Sequence, residues 1–277
     1  MRVTTLAGES VPVLGQGTWG LGDRRDLRSQ EVAALQLGID LGLTLIDTAE
    51  MYGDGASEQL VGEAIGGRRD QVFLVTKVLP GNAGSRRRIV TACERSLRNL
   101  RVERIDLYLL HWRRGEDLAV VVETFEELVE AGKIRHWGVS NCDVADLEEV
   151  AAQPEGHRVA CDQVLYNVSR RGIEHDLLNW TRQRQIVVMA YTPVEQGRIL
   201  GQVGLCEVAV RHGATPAQIA LAWLLRQEGV VAIPRARSME HVRENARAVD
   251  LQLTPRDLAD IDRAFPPPTG PRPLEMI

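Results

Sequence analysis

Short apolar runs, rich in β-branched residues, recur at 14–18, 43–47, 72–77, 105–111, 134–140, 159–163, 186–191 and 230–233. Their lengths suit buried strands. Between them lie segments whose apolar positions fall three and four apart, the spacing of one helix face. Residues 29–41 show this well, with Val32, Leu35 and Ile39 on one side. Segments 57–65, 87–100, 118–131, 144–151, 174–184, 216–226 and 239–248 follow the same rule. Most strand-to-strand intervals are about 25 to 32 residues, the size of a βα unit. The seventh is longer, about 44 residues, with room for a loop and two helices. Strands buried on both faces and alternating with helices imply a parallel sheet. Eight such units in about 250 residues suit an α/β fold of the closed (β/α)8 TIM-barrel type. Upstream, 3–6 and 11–14 flank the turn-like stretch Ala7-Gly8-Glu9-Ser10, which predicts a hairpin over 1–14. No linker divides the chain, so 1–277 reads as one domain with an irregular tail over 266–277.

Composition bounds the partners more than the fold. The chain is 44% apolar and 26% charged, which places it among ordinary globular proteins. Its net charge of −5 argues against a nucleic-acid or membrane surface, since both need clustered positive charge. The longest basic run, Arg86-Arg87-Arg88, opens an amphipathic helical segment and reads as a solvated face. The cysteines Cys93, Cys142, Cys161 and Cys206 are scattered, with no CxxC pair. They read as idle or buried thiols, and no metal site is expected. No signal-like apolar run opens the sequence and no stretch approaches a membrane span, so the expected location is the cytoplasm.

Two patterns invite a functional reading. Gly15-Gln-Gly17-Thr-Trp-Gly20 matches GxGxxG, and Asp40 follows at the offset expected of a dinucleotide-binding unit. That unit needs a helix starting inside the motif, whereas eight residues, 21–28, intervene here before helical periodicity begins. The motif therefore reads as a glycine-rich exit from the first barrel strand. The second pattern is stronger. Strands two, three and four end on Asp47, Lys77 and His111, and Tyr52 follows Asp47 by five residues. C-terminal strand ends of a parallel barrel meet on one rim, where barrel active sites lie.

Those four residue types suit the reduction of a carbonyl, which needs a proton as hydride arrives. Tyrosine can donate it, but its free pKa of about 10 makes it a reluctant acid. An ammonium about 4 Å away is worth on the order of 4 kcal/mol at an effective dielectric of ~20. That amounts to roughly three pKa units, enough on this count to bring Tyr52 toward 7. Only two of the 33 basic residues are lysine, Lys77 and Lys133; the rest are arginine. A lysine at a strand end in so arginine-rich a chain points to a need for a compact ammonium. Asp47 would keep Lys77 protonated and aimed, and His111 would bind the substrate oxygen.

At this point the chain resembles the aldo-keto reductases. The likeness rests on Asp47-Thr-Ala-Glu-Met-Tyr52, Lys77, Leu107-Tyr-Leu-Leu-His-Trp112, Gly132-Lys-Ile-Arg-His-Trp-Gly-Val-Ser-Asn141, Gln163, Tyr191-Thr-Pro, Ile233-Pro-Arg235 and Glu244-Asn245. Short bacterial members that reduce methylglyoxal are the most similar subgroup. The resemblance implies a barrel whose bottom is closed by the N-terminal hairpin, with NADPH lying across the top. It implies Tyr52 as general acid, Asp47 and Lys77 tuning it, and His111 orienting the carbonyl. Trp19 and Trp112, with Tyr52 and His111, would line the substrate pocket. Ser140, Asn141 and Gln163 would hold the nicotinamide amide, and Tyr191 would stack on its ring. By the same likeness the cofactor set extends to Gly17, Thr18, Trp19 and Asp47, to Thr192, Pro193, Val194, Gln196 and Gly197, to Ile233, Pro234, Arg235, Ala236, Arg237 and Ser238, and to His241, Glu244 and Asn245.

The pattern departs from the family at the adenosine phosphate. A Lys-Ser pair is replaced by Arg235-Ala236, and His241 stands where a later Arg is expected. Arg235 can still grip a phosphate bidentately. The reading favours NADPH and leaves NADH open. Partners are small carbonyl substrates, with no nucleic acid or membrane, and a monomer is expected. Short segments at 194–200 and at the tail suggest an open pocket. Two alternatives stand beside the reductase: an NADPH-binding sensor with slow turnover, and an unrelated barrel hydrolase or lyase. The second would need paired carboxylates or a metal, for which Glu50 beside Asp47 is the one hint.

Overall fold

The alternating pattern resolves, in a computed structural model describing Met1 to Ile277, into a closed ring of eight parallel strands wrapped by helices. A two-stranded hairpin, β1 (Val3–Leu6) and β2 (Glu9–Pro12), comes first. The ring strands are β3 (Gln16–Gly17), β4 (Leu45–Asp47), β5 (Phe73–Val78), β6 (Ile105–Leu110), β7 (Ile134–Ser140), β8 (Cys161–Leu165), β9 (Val187–Tyr191) and β10 (Val230–Ala232). They neighbour one another in chain order, every pair parallel. The helices are α1 (Arg28–Asp40), α2 (Ala56–Ala64), α3 (Pro80–Ala83), α4 (Arg86–Leu100), α5 (Leu118–Glu130), α6 (Val144–Ala151), α7 (Leu177–Gln183), α8 (Val203–His212), α9 (Pro216–Leu225), α10 (Met239–Arg247) and α11 (Pro255–Ala264).

The ring closes between its first and last segments. Parallel bridges join Leu14 to Ala232 and Gly17 to Arg235. The Gly15 amide donates to the Ala232 carbonyl at 2.8 Å and the Gly17 amide to the Pro234 carbonyl at 3.0 Å. The glycines of the GxGxxG run serve this seam. A Cβ on Gly15 would lie 2.8 Å from the Leu45 carbonyl oxygen, and one on Gly17 2.6 Å from that of Ile233. Helix α1 starts only at Arg28, so no helix N-terminus faces the motif.

Two apolar layers hold the barrel. The inner one contains Leu45, Phe73, Val75, Leu107, Leu109, Val187, Met189 and Val231, joined by Leu6 and Val11 of the hairpin. The hairpin thus seals the N-terminal end of the ring, and its Glu9 pairs with Arg135 and His136 at the start of β7. Its turn is tighter than the expected four-residue stretch. Leu6 pairs directly with Glu9 across Ala7 and Gly8, both at positive φ, the geometry of a two-residue hairpin turn. The outer layer lies between sheet and helices, with Leu74, Tyr108, Phe125, Trp137 and Trp223 among its largest members.

Several elements differ from the sequence pattern in their bounds, and one is additional. The sixth ring strand runs two residues later than 159–163. The segment 174–184 becomes helical only at Leu177, where the Asp176 carboxylate accepts from the Leu177 amide and a 3-10 turn precedes it. Helix α11 lies beyond the last periodic segment recognised. It begins on a capping box of Thr254 and Asp257 with Pro255 in its first turn, the same start signal that opens α9 at Thr215 and Gln218. Residues 266–277 carry no regular structure. All four cysteines are free thiols. No helix is long and apolar enough to cross a membrane.

Candidate active site

Strand periodicity decides which residues reach the rim. Side chains alternate between the two layers. In β5, Phe73 and Val75 belong to the inner layer, so Lys77 points inward above them. The same count turns Asp47 inward above Leu45, His111 above Leu107 and Leu109, Gln163 above Cys161, and Tyr191 above Val187 and Met189. Five polar side chains therefore crown one apolar plug, at the end of the ring opposite the hairpin.

Lys77, Asp47 and Gln163 form, with Tyr52, a connected hydrogen-bond chain. Lys77, fully buried, places Nζ 2.8 Å from both Asp47 carboxylate oxygens. The same ammonium donates to the Thr48 carbonyl at 2.9 Å and to the Tyr52 hydroxyl at 3.3 Å. Gln163 Nε2 donates to Asp47 Oδ1 at 2.8 Å. Burial alone would drive the Lys77 pKa down, but Asp47 and the Tyr52 oxygen outweigh it and hold the ammonium above its ordinary value. His111 meets the Tyr52 ring edge-on, with centroids 5.8 Å apart, and Trp112 packs on His111 at 4.8 Å. Burial, reinforced by Lys77, lowers the His111 pKa to about 2. The imidazole is therefore neutral at any working pH, and its buried Nδ1 has no hydrogen-bond partner.

Tyr52 departs from the expectation of a lowered pKa. Burial pushes its hydroxyl up, and Asp47 adds to that push against the pull of Lys77. Lys77 alone would lower the hydroxyl's pKa, but burial and Asp47 outweigh it. The Asp47–Lys77 pair is close to neutral as a unit, so its net pull on the hydroxyl is small. The resting residue is a protonated tyrosine with an ammonium 3.3 Å from its oxygen.

Beside this chain lies a second one. Ser140 Oγ donates to the Gln163 carbonyl at 2.7 Å. Asn141 Nδ2 donates to Ser140 Oγ at 3.0 Å and to the His111 carbonyl at 3.1 Å. The Tyr191 hydroxyl donates to Asn141 Oδ1 at 2.8 Å. The sequence profile of the aldo/keto reductase family matches residues 13–265. The chain belongs to the aldo/keto reductase family. It is 48% identical to methylglyoxal reductase YeaE of Escherichia coli, over 97% of this chain and 96% of that protein. An aldo-keto reductase from Klebsiella pneumoniae in complex with NADPH has a TM-score of 0.96 at 47% identity, covering 100% of both chains. Another Klebsiella pneumoniae structure, with NADP and acetate, has a TM-score of 0.97 at 47% identity, covering 100% of this chain and 99% of that one.

In this reductase the rim beside β3 is cationic. Trp19 is half exposed, the Arg235 guanidinium lies 5.9 Å from its ring centre, and Arg235 donates to the Trp19 carbonyl at 3.3 Å. Arg237 donates to the Gly20 carbonyl at 2.6 Å and sits 3.4 Å from Glu31. Gly20 has φ +72°, and a Cβ there would stand 3.1 Å from the Arg235 guanidinium, so glycine suits this corner on both counts. Arg235 has no carboxylate partner, and burial together with Arg237 pushes its pKa down. Glu31 and Asp23 offset part of that push without forming an ion pair to Arg235. Thr18 is buried behind this rim, its hydroxyl donating to the Asp47 carbonyl at 3.0 Å. Gly17, Pro234, Ala236 and Asn245 line one narrow cleft.

Other residues of the implied cofactor set are engaged elsewhere. The Glu244 carboxylate accepts from Thr215 at the start of α9, and Ser238 caps α10 by accepting from the His241 amide. Glu50 is no partner for Asp47 in a carboxylate pair, since its oxygens accept from Leu79, Asn82 and Arg95. Lys133 pairs with Glu94 near the surface. One residue escaped the sequence reading. Glu195, 3% exposed, accepts from Asn167, Arg170 and Arg198 and anchors a loop in which Thr192, Glu195 and Gln196 all have positive φ. Arg170 also reaches Glu275 in the tail, so loop and tail share one arginine. No spacing or motif marks Glu195, because two of its three partners, Asn167 and Arg170, lie 28 and 25 residues away in sequence.

Proposed function

We propose that this reductase uses NADPH to convert small aldehydes and ketones, methylglyoxal among them, to alcohols, with Tyr52 as proton donor. The chain Asp47–Lys77–Tyr52 beneath a neutral His111 carries the reading. NADPH, when bound, supplies the hydride. Tyr52 gives its proton to the carbonyl oxygen, and Lys77 stabilises the tyrosinate left behind. Asp47 keeps Lys77 charged and directed. His111, being neutral, has a ring N–H to offer the substrate oxygen without placing a second cation beside Lys77. Trp19 and Trp112 bound the pocket.

Ser140, Asn141 and Gln163 would hold the nicotinamide amide against Tyr191, while Arg235 and Arg237 would take the adenosine phosphate. Supporting the substrate class is the 48% identity to a methylglyoxal reductase. The whole tetrad lies within one chain, which supports a monomer as the working unit. Methylglyoxal and a nitrobenzaldehyde should each drive loss of NADPH absorbance. Tight NADPH binding with no aldehyde-dependent oxidation across a panel would replace the enzyme by a sensor.

Cofactor choice has its own test. Arg235→Ala is expected to raise the KM for NADPH about tenfold or more, from the loss of ~1.5–3 kcal/mol of charge-assisted hydrogen bonding. The KM for NADH, which lacks the phosphate, should stay near wild type. An unchanged NADPH preference would remove Arg235 from the phosphate site.

A further inference from the structure

Glu50 lies two residues before Tyr52 yet stands outside the hydrogen-bond chain of the site. Its side chain is 2% exposed. Oε1 accepts from the Leu79 amide at 2.7 Å and from Asn82 Nδ2 at 2.9 Å, and Oε2 pairs with Arg95 of α4. All three donors follow Lys77 in the chain, and Leu79 is only two residues beyond it. The carboxylate therefore fastens the segment that carries Tyr52 to the strand end that carries Lys77.

Apart from Glu50, that segment is held by backbone bonds: the Glu50 amide donates to the Lys77 carbonyl at a long 3.5 Å, the Tyr52 amide to the Ala49 carbonyl at 3.1 Å, and the Ser57 amide to the Tyr52 carbonyl at 3.2 Å. Thr48 is fixed, its carbonyl accepting from Lys77 and its hydroxyl donating to Ser57. Between Thr48 and Tyr52, Ala49 offers only a methyl group and Met51 is exposed. Beyond Tyr52, Gly53, Asp54 and Gly55 all have positive φ, a run that an isolated chain would not favour at Asp54. The distance at stake is the 3.3 Å between Lys77 Nζ and the Tyr52 oxygen, already long for a hydrogen bond. A buried ion pair is seldom more stabilising than apolar packing of the same volume. Its directional bonds, unlike apolar packing, set a position.

We propose that Glu50, clamped by Arg95, is a positioning residue for the proton donor and fixes the separation of Tyr52 and Lys77. This rests on Tyr52 being the general acid. Glu50 touches neither substrate nor cofactor in this scheme and acts through Tyr52.

The test compares Glu50→Ala, Glu50→Gln and Arg95→Ala with a control of equal burial, Glu58→Gln. Glu58 on α2 is also buried and hydrogen-bonded, to Thr76 and Asn99. Glu50→Ala should lower kcat by about 10- to 100-fold, the scale of a small misplacement of a reacting group. The KM for NADPH should stay unchanged, and the solvent deuterium isotope effect on kcat should rise as proton donation slows. Glu50→Gln should recover only part of the loss, because its oxygen can still accept from Leu79 and Asn82 while the ion pair to Arg95 is gone. Glu58→Gln should lower Tm without altering kcat or the isotope effect. Glu50→Ala with wild-type kcat and isotope effect would overturn the proposal. So would a Glu58→Gln that matches Glu50→Ala in both. If Glu50→Ala does not fold, Arg95→Ala decides: its side chain is half exposed, and kcat must still fall at constant NADPH KM. Undiminished turnover in Tyr52→Phe would instead overturn the assignment of the acid, a separate result.

Discussion

Tyr52→Phe is expected to lose about three orders of magnitude in kcat while still binding NADPH, within the range general acids contribute. Only the hydroxyl is removed. Its sole hydrogen-bond partner is Lys77, and that ammonium keeps both Asp47 oxygens and the Thr48 carbonyl. No charge is stranded, so the loss falls on chemistry and Tm should scarcely move. Steady-state kinetics with methylglyoxal, set beside a fluorescence titration of NADPH, separate the two effects. Turnover within a few-fold of wild type would mean that another group supplies the proton.

Lys77→Arg is the second large effect. Arginine is the basic residue this chain uses almost everywhere else, yet the Lys77 site has no room for it. The side chain is fully buried, and its terminal atom alone meets Asp47, Thr48 and Tyr52 within 2.8 to 3.3 Å. A planar guanidinium is longer and cannot converge on three acceptors from one point. The kcat should fall about 100- to 1,000-fold, as when a fixed donor to a developing oxyanion is lost. Overpacking should also cost about 1–3 kcal/mol of stability. Lys77→Met goes further, leaving Asp47 buried without its cation at about 3–5 kcal/mol. Thermal melts and kinetics on both variants check this. An arginine enzyme of wild-type rate would show that the compact ammonium has no special part.

Much of this site was legible before any coordinates. The convergence of C-terminal strand ends on one rim of a parallel barrel, applied to runs ending at Asp47, Lys77 and His111, already gathers those residues at one end. Glycine spacing was misleading on its face, and the late start of the first helical period was enough to correct it. What failed to show was anything set by burial or by distant partners. Tyr52 is a weaker acid than its neighbouring charges suggest, because a list of charges contains neither desolvation nor the cancelling effect of Asp47 on Lys77. No local spacing marks the roles of Glu195 and Glu50, since all the donors to Glu50 and all but Arg198 among those to Glu195 come from distant parts of the chain. Helix α11 is announced by Thr254, Pro255 and Asp257 and not by apolar periodicity, since it is short and buries only Asp257 and Ile261.

The seam that closes the barrel has a consequence for assembly. Residues 14–17 can find 232–235 only after almost the whole chain has been placed between them. Contacts of such long sequence separation form late, because loop entropy must be lost before they contribute. Gly17 and Arg235 face each other across this last join, and both belong to the proposed cofactor groove. Bound NADPH would then fasten the two ends of the ring, adding about 2.7 kcal/mol at a hundred times its dissociation constant. The nucleotide would be a strap on the finished ring as well as a reagent, and a cell short of NADPH would hold a population of this enzyme more prone to open at its first strand.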